Sequence, residues 1–252
     1  MAAAAPATIP DLSDPALDQP AYDGAVRSYV IAGTPSAGGT LLARILVGVG
    51  TMGVPGHYFQ GRERVPALAA RLGVRRGVNQ IDIRAYVAAL LRHRTTPNGV
   101  FGTVLEFEQL RTVLAEEPVR ALLRRSRFVW VRRRDRIGQA LAAILATAPP
   151  GRRAGGQAHA PTFLPTEIDH ALGVIAAQDR SWRLFFEQGG FAPLEIWHED
   201  MLADPASACR SACALMGERP SRAIGLQDRF RGSRHERVVE DLRRRYVESL
   251  RW

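Results

Sequence analysis

The stretch that most limits how this chain can fold runs from Tyr29 to Leu42, Tyr-Val-Ile-Ala-Gly-Thr-Pro-Ser-Ala-Gly-Gly-Thr-Leu-Leu. Val30, Ile31 and Ala32 form a short apolar run of the kind that makes a fully buried strand. Gly33-Thr34-Pro35 breaks it, and Gly38 and Gly39 keep the turn open. Thr40 then starts an apolar-periodic helix through Leu41, Leu42, Ile45 and Leu46. A strand, a glycine-rich turn and a helix in that order aim backbone N–H groups and a helix N-terminus at an anion. A tight turn without a ligand is the simpler alternative. The strand before it and the helix after it favour the anion site.

From Gly33 to Thr40 the spacing fits the phosphate-binding pattern G-x-x-x-x-G-K-[ST] at every fixed position except one, where Gly39 replaces the lysine. That replacement, with no acidic strand end suited to Mg²⁺, argues against a nucleoside-triphosphate site.

The charge balance also points to an anionic ligand. The chain of 252 residues has no lysine, so its whole complement of 34 basic side chains is arginine, and the formal net charge is +9. Arginine is always charged and grips phosphate and sulfate oxygens with a fixed fork. A high pI is also the footprint of nucleic-acid binding. No helix-turn-helix, zinc-ligand or RNP pattern accompanies it, so no nucleic-acid partner is expected. Cys209 and Cys213 lie one helical turn apart with no further ligands nearby, which reads as two core thiols in a reducing cytosol. The start of the chain lacks the basic and apolar regions of a signal peptide, and no uncharged run approaches a membrane span. The expectation is a cytoplasmic protein with no membrane association.

Residues 1–26, rich in Ala, Pro and Asp, read as a mobile tail, and 27–252 as a single domain. After the loop and its helix, strands are expected near Val100–Phe107, Arg127–Val131 and Pro193–Trp197. Helices are expected near Val65–Leu72, Ile81–Arg94, Gln109–Arg124 (interrupted at Pro118), Ile137–Leu145 and Thr166–Gln188. A helix carrying the cysteines and a last one ending near Leu250 follow. The long stretch 149–165 reads as a lid or a disordered loop. Strands alternating with helices make a doubly wound parallel sheet with helices on both faces, an α/β fold.

The loop resembles another family more closely than it does the triphosphate pattern. Gly33-Thr34-Pro35-Ser36-Ala37-Gly38-Gly39-Thr40-Leu41-Leu42 is similar to Gly-Thr-Pro-[Arg/Lys]-Ser-Gly-Thr-Thr-Leu-Leu, the 5′-phosphosulfate loop of sulfotransferases, with Ser36 in place of the basic residue. Gly53-Val54-Pro55-Gly56-His57-Tyr58-Phe59, Pro97–Gly102, Gln178–Arg183 and His198-Glu199-Asp200-Met201 match further segments in the same order. The nearest resemblance is to bacterial trehalose 2-sulfotransferase-like enzymes.

The resemblance implies 3′-phosphoadenosine 5′-phosphosulfate (PAPS) as donor and no metal. It implies a small hydroxylated acceptor, a sugar or secondary metabolite, and a homodimer. Gly33, Thr34, Pro35, Ser36, Ala37, Gly38, Gly39 and Thr40 would cradle the 5′-phosphate, and Arg133 the 3′-phosphate. Arg231 joins them in Phe230-Arg231-Gly232-Ser233, which resembles the family's Arg-Lys-Gly loop. His57 stands where the family's catalytic Glu deprotonates the acceptor, and a histidine suits that task near neutrality. Gly138 falls at a serine position and Val104 at a lysine position. Arg132 and Arg134 read as solvated. The loop therefore lacks its cation, which Arg44, Arg62, Arg64 or a charged His57 would have to replace. The alternative is a sulfotransferase fold with a repurposed cleft, either another transferase or a ligand-binding module without sulfuryl chemistry.

Overall fold

The computed structural model describes residues 11–60, 64–77, 80–148, 164–222 and 234–250. Among these, four strands form one all-parallel sheet in the order β2-β1-β3-β4: β1 Arg27–Gly33, β2 Val100–Glu106, β3 Arg127–Arg132 and β4 Leu194–Trp197. The helices are α1 Gly39–Gly48, α2 Arg64–Arg71, α3 Ile83–Arg94, α4 Phe107–Val113, α5 Glu117–Arg125, α6 Arg136–Thr147, α7 Pro165–Gly189, α8 His198–Ala203, α9 Pro205–Leu215 and α10 Arg234–Ser249. No helix among the described residues is long and apolar enough to cross a membrane.

The period of two along β1 sorts its side chains onto two cores. Tyr29 and Ile31 face Leu42 and Leu46 of α1 and Cys209 and Cys213 of α9. Val30 and Ala32 face Phe128, Trp130, Trp182 and Phe186. With both faces covered, β1 reads as an unbroken apolar run, as strands of parallel sheets do. The two cysteines are buried and unlinked, their sulfurs 4.0 Å apart.

Some boundaries differ from the sequence reading. Pro118 sits in the first turn of α5, where its missing N–H costs nothing, so the expected Gln109–Arg124 helix is two helices. His198-Glu199-Asp200, which carried no assigned element in the sequence, opens α8.

The reading of 1–26 as a tail fails for its described part, residues 11–26. Leu12 is buried with Tyr58, Leu68 and Phe101. Asp18 receives both guanidinium nitrogens of Arg71 at 2.6 and 2.8 Å and pairs with the buried Arg94 at 2.7 Å. The hydrogen bond from Arg71 holds the Asp18 carboxyl below the usual range, against the effect of burial. Composition suggested a loose segment because three charged groups that find one another only in space look like solvated residues in sequence. The expected lid falls almost wholly in 149–163, outside the described residues.

In the order β2-β1-β3-β4 the chain moves one way from β1 to β2 and then the other way to β3. The switch point lies between β1 and β3. Open parallel sheets bind ligands at the carboxyl end of such a pair. Here that end carries Gly33–Thr40 from β1 and Arg133 from β3.

Candidate functional site

The loop leaves β1 at Gly33 and enters α1 through Gly38, which has φ +110 and serves as its N-cap. That left-handed backbone suits glycine, and a Cβ there would lie 2.6 Å from His198 Nδ1. Ser36, at φ +57, is the one non-glycine residue with positive φ among those described. This is the conformation that turns successive N–H groups into a common concavity.

Three side chains from other elements hold the loop. Trp182 of α7, fully buried, donates from Nε1 to Gly33 O at 2.8 Å. Gln139 of α6, also buried, donates from Nε2 to Thr34 Oγ1 at 2.7 Å and to Pro35 O at 2.8 Å. Its Oε1 accepts from Arg136 at 3.1 Å, and Arg136 pairs in turn with Asp179 of α7. Residues 178–183 look like a mere family match in sequence; in space they brace the loop through Asp179 and Trp182.

His57 reaches the loop from the other side. It is 5% exposed, and its Nε2 lies 2.9 Å from Thr40 Oγ1. The preceding residue is pinned to the outer edge of β2. Gly56 O accepts from Val104 N at 2.8 Å and from Thr103 Oγ1 at 3.1 Å. Tyr86 Oη donates to Tyr58 O at 2.7 Å on the far side. The imidazole is thus fixed within reach of the last loop residue.

A family model described as Stf0 sulphotransferase matches residues 28–248. The chain belongs to the Stf0 sulphotransferase family. No curated protein matches it.

Within this Stf0 chain the three arginines at and after the end of β3 have different surroundings. Arg132 pairs with Glu195 at 2.9 Å and stacks on Trp130 and Trp197, at 4.3 and 4.5 Å from the ring centroids. Arg134 pairs with both oxygens of Asp200, at 2.6 and 2.8 Å, and also lies over Trp197. Arg132, at 15% exposure, is not the solvated arginine the sequence suggested, whereas Arg134 stays half exposed while it holds Asp200. Tryptophan faces and carboxylates around them could be seen only after folding. Arg133 points elsewhere. Its side chain is 16% exposed, it touches Asp135 at 3.3 Å, and its buried Nε has no hydrogen-bond partner.

Asp135 caps α6 through Gly138 N at 2.9 Å and pairs with Arg243 of α10. Burial opposes ionisation of Asp135, yet the Gly138 N–H with Arg243 and Arg133 outweighs it and keeps the carboxyl below its usual range. The absent serine at Gly138 now has a reason. A Cβ there would run into the Asp135 carboxylate and lie 2.8 Å from Arg243 Nη2. Nothing in the sequence near Gly138 marked Arg243, because α10 docks on α6 and α7 through Leu141, Ile168, Leu242 and Tyr246 from far along the chain.

His198 packs against the loop at Gly38 with its buried Nδ1 unpartnered. Burial, helped by Arg133, pushes its pKa down to about 4, so the imidazole is neutral at physiological pH. In sequence His198 was only part of a matched segment; its contact with the loop comes from the fold.

Val104 and Glu106 share one face of β2. Val104 lies beside the loop, its Cγ1 3.4 Å from where a Cβ on Gly39 would stand. Glu106 pairs in register with Gly33 at the end of the strand. Burial, with Glu108 nearby, pushes the Glu106 carboxyl up to about 7. No local pattern around Glu106 signals this, since the shift comes from what surrounds the strand end.

A raised pKa means that the folded protein keeps a proton that the unfolded chain loses above its ordinary value. Stability should therefore fall as pH rises from about 4.5 to 7, by at most about 3 kcal/mol. In Glu106→Gln this slope should vanish, leaving the variant more stable than the parent at pH 8 and equal to it at pH 4. Urea midpoints across that window measure it; parallel curves would show that Glu106 titrates normally.

Among the described residues, no group of three or more His, Cys, Asp or Glu is arranged to hold a metal. Arg231 and Arg62 lie outside the described residues, and the side chain of Arg64 is likewise not described. Of the candidates for the missing loop cation, Arg44 lines the same cavity as Thr40 and His57.

Proposed function

We propose that this protein transfers a sulfuryl group from PAPS to the hydroxyl of a small molecule. The observation that carries the reading is the 2.9 Å contact between His57 Nε2 and Thr40 Oγ1, which sets a proton acceptor beside the anion loop. The donor suits the residues present in two respects. The positive-φ residues Ser36 and Gly38 curve the backbone N–H groups of the loop towards a common side, and Arg133 Nε and His198 Nδ1 are buried without partners.

Sulfuryl transfer is an in-line displacement, and the protein contributes position and charge. The acceptor oxygen forms a bond to sulfur while the bond from sulfur to the 5′-phosphate oxygen breaks. The electron pair leaves with adenosine 3′,5′-bisphosphate, and the acceptor proton passes to His57 Nε2. Thr40 and the N–H groups of Gly33–Thr40 hold the 5′-phosphate. As the Thr40 hydroxyl turns towards that phosphate, it releases Nε2 to act as base.

Arg44, one helical turn beyond Thr40, supplies the charge that Ser36, Gly39 and Val104 do not. Arg133 holds the 3′-phosphate, with Asp135 fixing its position from one side. Arg231 is kept as a second ligand for that phosphate.

Calorimetric titration with adenosine 3′,5′-bisphosphate tests the reading. The wild type should bind it and ignore ATP, and Arg133→Ala should weaken binding about 10- to 100-fold, the worth of a charge-assisted contact. Absence of binding to the wild type would overturn the sulfotransferase reading in favour of a cleft turned to other chemistry.

A further inference from the structure

Beside the Thr40–His57 pair lies a cavity of about 120 Å³ whose walls are almost wholly apolar. Leu12 and Leu17 form one side, Ala43 and Val47 of α1 another, and Val54 and Pro55 a third. The polar side chains that line it are Thr40, Arg44 and His57, of which Thr40 and His57 meet at 2.9 Å.

We infer that this cavity is the acceptor site and that the acceptor is a hydroxyl on an apolar body, a phenol or hydrophobic alcohol, and not a sugar. The inference rests on the proposed transfer for its chemistry, though the preference of the cavity can be measured without any turnover.

The lining sets the preference. A sugar carries a hydroxyl on nearly every carbon. Each one stripped of water and left without a partner weakens binding by about five- to a hundredfold. One hydroxyl can be met by His57 and Thr40 and another by Arg44; any beyond these would face leucine, valine and proline. An apolar ring loses nothing there. Its scale is also right, since an apolar cavity of about 150 Å³ takes up benzene and stays dry without it.

The walls are fixed in place. Leu12 belongs to the buried cluster around Tyr58, and Asp18, one residue after Leu17, is tied to Arg71 and Arg94. A Cβ on Gly56 would lie 2.7 Å from Leu12 Cδ2, so the segment leading to His57 and the N-terminal wall meet in direct contact. Residues 11–18 thus close a pocket that the sheet and its helices alone would leave open.

The test uses the full chain and two probes, 4-propylphenol and trehalose, followed by ligand-observed NMR titration with and without adenosine 3′,5′-bisphosphate. The phenol should bind, and trehalose should not saturate at tenfold higher concentration. Val47→Asp and Leu17→Asn, both at half-buried positions, should each weaken the phenol by about tenfold or more. Thermal melts establish that the variants are folded.

Three outcomes overturn the inference: trehalose binding in preference to the phenol, neither probe binding, or phenol affinity unchanged in both folded variants. Phenol binding with the expected losses, in a protein that ignores adenosine 3′,5′-bisphosphate, supports the apolar site and overturns the transferase reading instead.

Discussion

Replacing His57 by alanine is expected to lower the turnover of sulfuryl transfer by about 10²- to 10⁴-fold, the usual worth of a positioned general base. The effect should fall on kcat, because the nucleotide is held by the loop and Arg133. His57→Gln is the informative companion. Its amide can keep the hydrogen bond to Thr40 Oγ1 that Nε2 makes at 2.9 Å, but it cannot take a proton. Both variants should therefore be slow, and only the alanine variant should also disturb the packing of this 5% exposed position. Steady-state kinetics with any accepted phenol, beside thermal melts, separate the two effects. A glutamine variant as active as the parent would remove His57 from the role of base and leave it as a prop for Thr40.

The largest loss of stability is expected from Trp182→Ala, at about 3–5 kcal/mol. The indole is fully buried. It stacks on Phe186 at 5.3 Å between centroids and meets Phe107 and Phe185 edge-on. Trp182→Phe separates packing from hydrogen bonding. It retains most of the buried ring but leaves Gly33 O, where the loop begins, without the donor now 2.8 Å away. Stranding that buried carbonyl should cost about 1–3 kcal/mol. Guanidinium unfolding gives both values. The phenylalanine variant should also bind adenosine 3′,5′-bisphosphate more weakly, since its loop has lost one of its three braces. Unchanged nucleotide affinity in that variant would show that the loop holds its shape without α7.

These two positions differ in how far the sequence revealed them. His57 stood out because a neutral-range titrating group followed Gly53-Val54-Pro55-Gly56 at a place the family resemblance marked. Trp182 lay within Gln178–Arg183, a segment matched for its pattern and given no role. A tryptophan on an amphipathic helix reads as core, and it is core; that its N–H ends on the loop depends on where α7 lies across the sheet. Gln139 was hidden in the same way, one residue beyond the Gly138 that drew attention as a vacant serine position. Of Arg132, Arg133 and Arg134, the resemblance singled out Arg133 and left the other two as solvated charge. At and just past the end of β3, the folded chain gives Arg132 and Arg134 tryptophans and carboxylates and sets Arg133 beside Asp135.

The sequence by itself determined the strand–loop–helix unit from Tyr29 to Leu46, the alternation that makes a parallel sheet, and the Stf0 membership. Those features are local: period-two and period-3.6 patterns and the backbone freedom of Gly38 are set by neighbouring residues. The tertiary structure decided everything that depends on distant pairs. It brought Arg243 to Asp135, set His198 against Gly38, raised the Glu106 carboxyl by burial, and folded Leu12 and Leu17 over the cavity beside His57. Each of these rests on the charge, volume or desolvation that one segment imposes on another. Such terms have no periodicity along the chain, so no stretch of it announces them.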